Sequence, residues 1–301
     1  RNMRIGQLGV RIDFFWTTIV NESELLENFG IEAQPFDMCE LVGKVKERAA
    51  AENTAYDDEV ESIKEWLSTQ YIKDRDIRVA LAYRDELLDA ARVFGLSGFS
   101  IQSFDYLQTE LGPGSALGDA LVQEVFPIAP ESDIHGAIGA VMLASATQGV
   151  DPIFSPEFTI RHPSNDNAIL LWHASAPPSL RSPADSIVEI LPPWILKDLP
   201  ATSLQYRLKN GPLTICRFDG DTGNYVLGLG EGKTVDGPAT REIYTWMEVD
   251  NWPVWERKII EGPYIHHCAA AYDHCADVLE EACKYIPGLK SDRFDEQVQI
   301  S

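Results

Sequence analysis

The pattern of the chain changes near residue 152, and this change limits the possible folds more than any other feature. Before it, short apolar segments alternate with helical ones. Arg4-Ile-Gly-Gln-Leu-Gly-Val10 reads as a strand, and Asn21 with Glu24 forms a capping-box start for a helix that Gly30 ends. Ile31 to Phe36 is a second strand, and Asp37 with Glu40 caps a helix through Ala51. Val60, Ile63 and Leu67 mark one helix stripe; Ile77, Leu81, Leu88 and Ala91 mark another that stops at Gly95. A strand at Gly98–Ser103, a helix at Gly118–Val125, a buried strand at Val125–Ala129 and an apolar core helix through Ala137–Ala146 follow. Strands separated by helices imply an open parallel sheet, so residues 1–152 are expected to form a Rossmann-like α/β domain.

After the change, short strands dominate: 152–158, 168–172, 187–191, 204–208, 213–218, 225–229 and 242–249. Pro, Gly and Asn-Asp turns divide them. This rhythm belongs to antiparallel sheets. Residues 153–301 are therefore expected to form an antiparallel β-barrel-like domain with one late helix from about Asp273 to Tyr285.

Charge narrows the partners. With 47 acidic against 25 basic residues, the net charge of −22 repels nucleic acid and anionic membranes alike. No apolar run approaches the roughly 20 residues of a membrane span. Five cysteines, an odd number in no paired spacing, and no secretory leader point to reduced thiols in the cytoplasm. The chain opens without an initiator methionine, as a trimmed N-terminus would.

Several motifs could carry chemistry. Gly228-Leu-Gly-Glu-Gly-Lys-Thr234 resembles the end of a phosphate loop, but the Gly required five residues before Gly232 is Leu227, and the segment lies between strands. Asp219-Gly-Asp-Thr-Gly223 is better read as a hairpin turn than as a calcium loop, since the Glu expected nine residues after Asp221 is absent. Glu131 follows a buried strand and precedes a long apolar helix, where open α/β sheets place ligands. It could bind a metal there, or it and Asp133 could cap the helix. His135 could be a ligand or a buried helix residue. Glu157 is a strand-end carboxylate flanked by Phe158 and close to Phe154, with a surface edge position as the other reading.

Residues 262–275 hold three of the six histidines and two of the five cysteines. A zinc knot needs four ligands from two close knuckles. Cys268, Cys275 and Cys283, spaced by seven and eight residues, instead read as a helical core stripe with His274 on the same helix. That leaves His266 and His267 in the preceding turn, able to reach a metal or substrate.

Taken with their order along the chain, these residues resemble the middle and C-terminal domains of the L-fucose isomerase and L-arabinose isomerase superfamily. The likeness is carried by Arg4-Ile-Gly-Gln-Leu-Gly9, Phe29-Gly-Ile-Glu32, Glu131-Ser-Asp133 followed by Gly136-Ala137, Pro212-Leu-Thr-Ile-Cys-Arg-Phe218, and His266-His267 ahead of Tyr272-Asp-His274. The resemblance implies a divalent ion, usually manganese, bound by Glu131, Glu157 and His267, with the two carboxylates also shuttling the proton. At the position of Glu157 fucose isomerases carry Asp, and at that of His266 they carry Asn. Gln102, His173 and His266 fall near positions that touch substrate. The ligand types suit Mn2+ or Mg2+.

The expected function is thus an aldose-ketose isomerase acting on a free monosaccharide through an enediolate, in a homo-oligomer, trimer or hexamer. The alternatives are a sugar-binding or regulatory homologue without catalysis and a structural zinc protein. The resemblance further implies an α/β domain ahead of Arg4 that closes a neighbour's site, so that this chain by itself would be incomplete for catalysis and would expose an apolar patch.

Overall fold

A computed structural model describes residues 2–50, 54–104, 106–193 and 198–296. The first half alternates as its pattern requires: β1 (Arg4–Leu8), α1 (Glu22–Glu24), β2 (Glu32–Phe36), α2 (Met38–Ala50), α3 (Asp57–Lys64), α4 (Asp74–Phe94), β3 (Gly98–Ile101), α5 (Tyr106–Leu111), α6 (Pro113–Gln123), β4 (Ile128–Pro130) and α7 (Ile134–Ala146). The four strands form a parallel sheet in the order β2-β1-β3-β4. The punctuation is local chemistry. Asn21 accepts the Glu24 N–H at 3.3 Å, Asp37 accepts that of Glu40 at 3.0 Å, and Gly30 and Gly95 end their segments at φ +66° and +62°.

The second half contains β5 (Glu157–His162), β6 (Asn165–His173), β7 (Glu189–Leu191), β8 (Ser203–Arg207), β9 (Pro212–Asp221), β10 (Asn224–Val235), β11 (Ile243–Glu248), α8 (Trp252–Glu261), β12 (Ala269–Ala271), α9 (Ala276–Cys283) and β13 (Leu289–Arg293). These nine strands make one largely antiparallel sheet along the path β12-β9-β10-β11-β6-β5, with β13 added on β10 and β7-β8 on β11. The expected phosphate-loop look-alike lies inside β10, where a side chain at Gly230 would meet the Trp255 ring at 2.1 Å. Asp219–Gly223 spans the end of β9 and the turn into β10, as expected of a hairpin.

The sheet does not close into a barrel of continuous ladders. Among the described residues, its two ends meet only through the isolated bridges Phe154–Ala270 and Glu157–His267. The reason is in the chain: Pro152 and Pro156 have no N–H to give a ladder, so 154–158 is extended but sparsely paired, and β5 begins only at Glu157. Two further expectations are corrected. The late helix runs over 276–283, so Cys268 lies ahead of β12 and His274 ahead of α9; all three cysteines are nevertheless buried. The helix α8 was not anticipated, although Asn251 caps it and a proline opens it.

The helix α7 packs against β3 and β4 of one sheet and against β9 and β12 of the other. Gly136, Ala137, Gly139 and Ala140 keep it thin enough to be buried between them. Its N-terminus therefore points into the junction of the two sheets, where 154–158 meets 266–270.

Candidate active site

The β4–α7 turn sets the first residue. Ser132 N–H donates to Ile101 O at 3.0 Å, and Glu131 and Ser132 are held at φ +63° and +58°. Of the two acids there, Asp133 is the helix cap, accepting the Gly136 N–H at 2.8 Å. Glu131 is left to face the junction, 3 % exposed. The Glu157–His267 bridge delivers the other two residues from the closing ends of the second sheet.

The three converge. His267 Nε2 lies 2.9 Å from Glu131 Oε2 and 3.8 Å from Glu157 Oε1. Potential ligand atoms of Glu131, Glu157 and His173 all lie within 4.8 Å of one another, as do those of Glu157, His266 and His267. No cysteine belongs to either group among the described residues. Although Glu131 Oε2 and His267 Nε2 stand at ion-pair distance, they are not aligned as a hydrogen bond, and both are buried atoms without a hydrogen-bond partner. Two buried, unpartnered donor atoms aimed at one point fit a shared cation.

Behind them is a charged network that was not anticipated. Asp133 Oδ2 takes His267 Nδ1 at 3.2 Å and pairs through both oxygens with Arg217, whose Nε reaches Asp219 at 3.0 Å. Asp219 also meets His135 Nδ1 at 3.2 Å; His135 is a buried residue of α7 packed edge-on against Phe218 and Tyr225, and among the described residues it belongs to neither group of potential ligands. Burial alone would raise the Asp133 carboxyl, but the Arg217 guanidinium holds it well below the usual range. Burial would lower His267, yet Asp133 at Nδ1 and the Glu131 carboxylate outweigh it and push the ring up to about 10. Glu157 is pushed up to about 7 by burial and by the Glu131 charge, and burial brings His173 down to about 4.

Glu131 and Glu157 line a cleft of about 360 Å³, with Phe14, Phe104, Trp172, His173, Glu242 and His266 among its walls, and His267 and Asp133 line a small space adjoining Glu131 and His173. His173 and His266 each place Nε2 4.0 Å from Glu157 Oε1. Gln102 is not brought there. It lines a neighbouring groove with Gln7, Pro35, Asp37 and Tyr106, because its backbone extends the β3 edge to Leu8. Glu242 was missed: nothing in Arg241-Glu242 distinguishes it in the sequence, and its φ of +69° is a tertiary property. Exposed Val10, Phe14, Trp16 and Ile19 lie in the loop after β1, beside the cleft wall.

Comparison with known proteins bears on this geometry. Residues 198–288 match the family model of the L-fucose isomerase C-terminal domain. A sulfoquinovose isomerase of Alkalicoccus urumqiensis is 23 % identical over 239 residues, 79 % of this chain and 52 % of the relative. The chain thus spans about half the length of the curated relative it matches. Both findings support assignment to the L-fucose isomerase superfamily.

Proposed function

We propose that the cleft is the active site of a metal-dependent aldose-ketose isomerase, in a chain organised as domains 1–152 and 153–301. One observation supports this above all: His267 Nε2 stands 2.9 Å from Glu131 Oε2 and 3.8 Å from Glu157 Oε1, and Glu157 shares one compact set of potential ligand atoms with Glu131 and His173 and another with His266 and His267. Two carboxylates and an imidazole would hold Mn2+ or Mg2+ and leave positions open. Such an ion supplies positive charge to the sugar oxygens and to the enediolate between C1 and C2.

The chain's own groups do the rest. Moving hydrogen between C1 and C2 needs a base at carbon and an acid at the carbonyl oxygen. Glu157, which faces the cleft beside Glu131 and within reach of His173, is placed to take and return that proton. Glu131 is the second member of the pair. Asp133 orients His267 through Nδ1, while Arg217 keeps Asp133 ionised. Phe14, Phe104 and Trp172 exclude water from one wall, and His173 and His266 contact the sugar. The exposed apolar loop after β1 is the surface we assign to a neighbouring subunit of a homo-oligomer.

The test is Glu131→Gln. Mn2+ binding by direct metal analysis and ketose formation over a panel of pentoses, hexoses and 6-deoxyhexoses should both be lost while the circular dichroism spectrum is kept. Wild-type rates in this variant would refute the assignment.

A further inference from the structure

We propose that Gln108 is a specificity-determining residue of this cleft, whose side-chain amide holds neighbouring hydroxyls of the sugar. The inference rests on the isomerase reading above. Gln108 lies on α5, which Leu107 and Leu111, one turn apart, anchor in the core, and its main-chain O accepts the Gly112 N–H at 3.0 Å. The side chain lines the cleft together with Phe14, Phe15, Phe104, Glu131 and Trp172. It is 8 % exposed, and its Oε1 is a buried atom without a hydrogen-bond partner. Among the described residues nothing accepts a hydrogen bond from its Nε2 either.

A buried polar atom left unpaired is unfavourable, and folded chains keep few of them. Among the described residues, three such atoms belong to residues that line this cleft: Gln108 Oε1, Glu131 Oε2 and His173 Nδ1. The ion reading accounts for Glu131, and nothing in the catalytic chemistry accounts for Gln108. Its neighbours cannot take its place. Of the cleft residues from the first half of the chain, Phe14, Phe15 and Phe104 are apolar, and Ser103 Oγ already donates to Ile101 O at 3.3 Å. Gln108 is thus the neutral polar group that this side of the cleft leaves uncommitted. An amide offers an acceptor and a donor side by side, and two neighbouring sugar hydroxyls can donate to the one and accept from the other. A site built to pair with a hydroxyl rejects the analogue that lacks it, because the amide is then left buried and unpaired.

The experiment titrates the Mn2+-loaded protein by calorimetry with open-chain pentitols and hexitols, which carry the hydroxyls without the reactive carbonyl, and with deoxy polyols that lack them one at a time. Gln108→Met, similar in length but without donor or acceptor, should raise Kd for the polyol that wild type binds best by about 10- to 100-fold. Mn2+ affinity should be unchanged. The melting temperature without sugar should equal or exceed that of wild type, since the variant removes an unpaired buried group. One deoxy polyol should bind wild type about as weakly as its parent binds Gln108→Met, and the variant should not tell the two apart. Gln108→Asn, which draws the amide back by one methylene, should also lose affinity. Unchanged Kd in both variants, a variant that still discriminates the deoxy polyols as wild type does, a lower melting temperature without sugar, or a wild type that binds no polyol would overturn the proposal. Polyol binding that depends on Gln108 in a protein that converts no aldose would fail the isomerase reading and uphold the role of Gln108.

Discussion

A single methyl group at Gly136 should test the network that positions His267. A Cβ at this site would lie 2.5 Å from Asp133 Oδ2, 2.8 Å from its Cγ and 3.2 Å from Arg217 Nη1. The carboxylate cannot retreat, because it is held by the Gly136 N–H at 2.8 Å, by Arg217 and by His267 Nδ1 at 3.2 Å. Overpacking costs about 1–3 kcal/mol and a displaced charge-assisted hydrogen bond about 1.5–3, against about 1 gained by Ala over Gly inside a helix. Gly136→Ala should therefore lose about 1.5–5 kcal/mol in urea unfolding, and Mn2+ affinity should fall by about 10- to 100-fold as His267 loses its orienting partner. Gly43→Ala is the control. Gly43 lies in α2 with nothing within 4 Å of a new Cβ, so this change should stabilise by about 0.4–1 kcal/mol. If Gly136→Ala behaves like Gly43→Ala, the reasoning is wrong.

Two further outcomes follow from buried charges. Arg217→Met removes the cation between Asp133 and Asp219; leaving those carboxylates uncompensated should cost about 3–5 kcal/mol in urea unfolding, and a loss under 1 would show that water or a proton compensates them. Asp119, buried against Tyr83 OH at 2.9 Å, has its carboxyl pushed up from 3.8 to about 7 by burial. The unfolded chain releases this proton first, so the penalty is absent below about pH 4, grows as pH rises to about 7 and is constant above it. Asp119→Asn should thus gain on wild type between pH 5 and pH 8 by on the order of 1–4 kcal/mol. A stability difference independent of pH in urea titrations would refute this.

Local signals carried far in the first half of the chain. Asn21, Asp37, Gly30 and Gly95 start and stop their segments through contacts within a few residues, so the alternation that makes a parallel sheet is readable one segment at a time. The same holds for the Asp219–Gly223 turn. In the second half, 152–158 reads as a strand like its neighbours, and whether the sheet closed depended on how 154–158 met 266–270, more than a hundred residues away. The apparent helical spacing of Cys268, Cys275 and Cys283 misled for a related reason: burial against α7 and β9 keeps these residues in the core without requiring one helix.

At the site, residue type and position at segment ends singled out Glu131, Glu157, His266 and His267 as candidates, because these are local facts, and the family resemblance added His173. Only the tertiary structure decided that Asp133 and not Glu131 caps α7, that Gln102 faces another groove, and that Arg217, Asp133 and Glu242 belong to the cleft or its support. The physical reason is that charge pairing, burial and left-handed backbone at a non-glycine residue depend on neighbours distant in the chain. Those neighbours are chosen when the two sheets close on α7, and no window of sequence contains them.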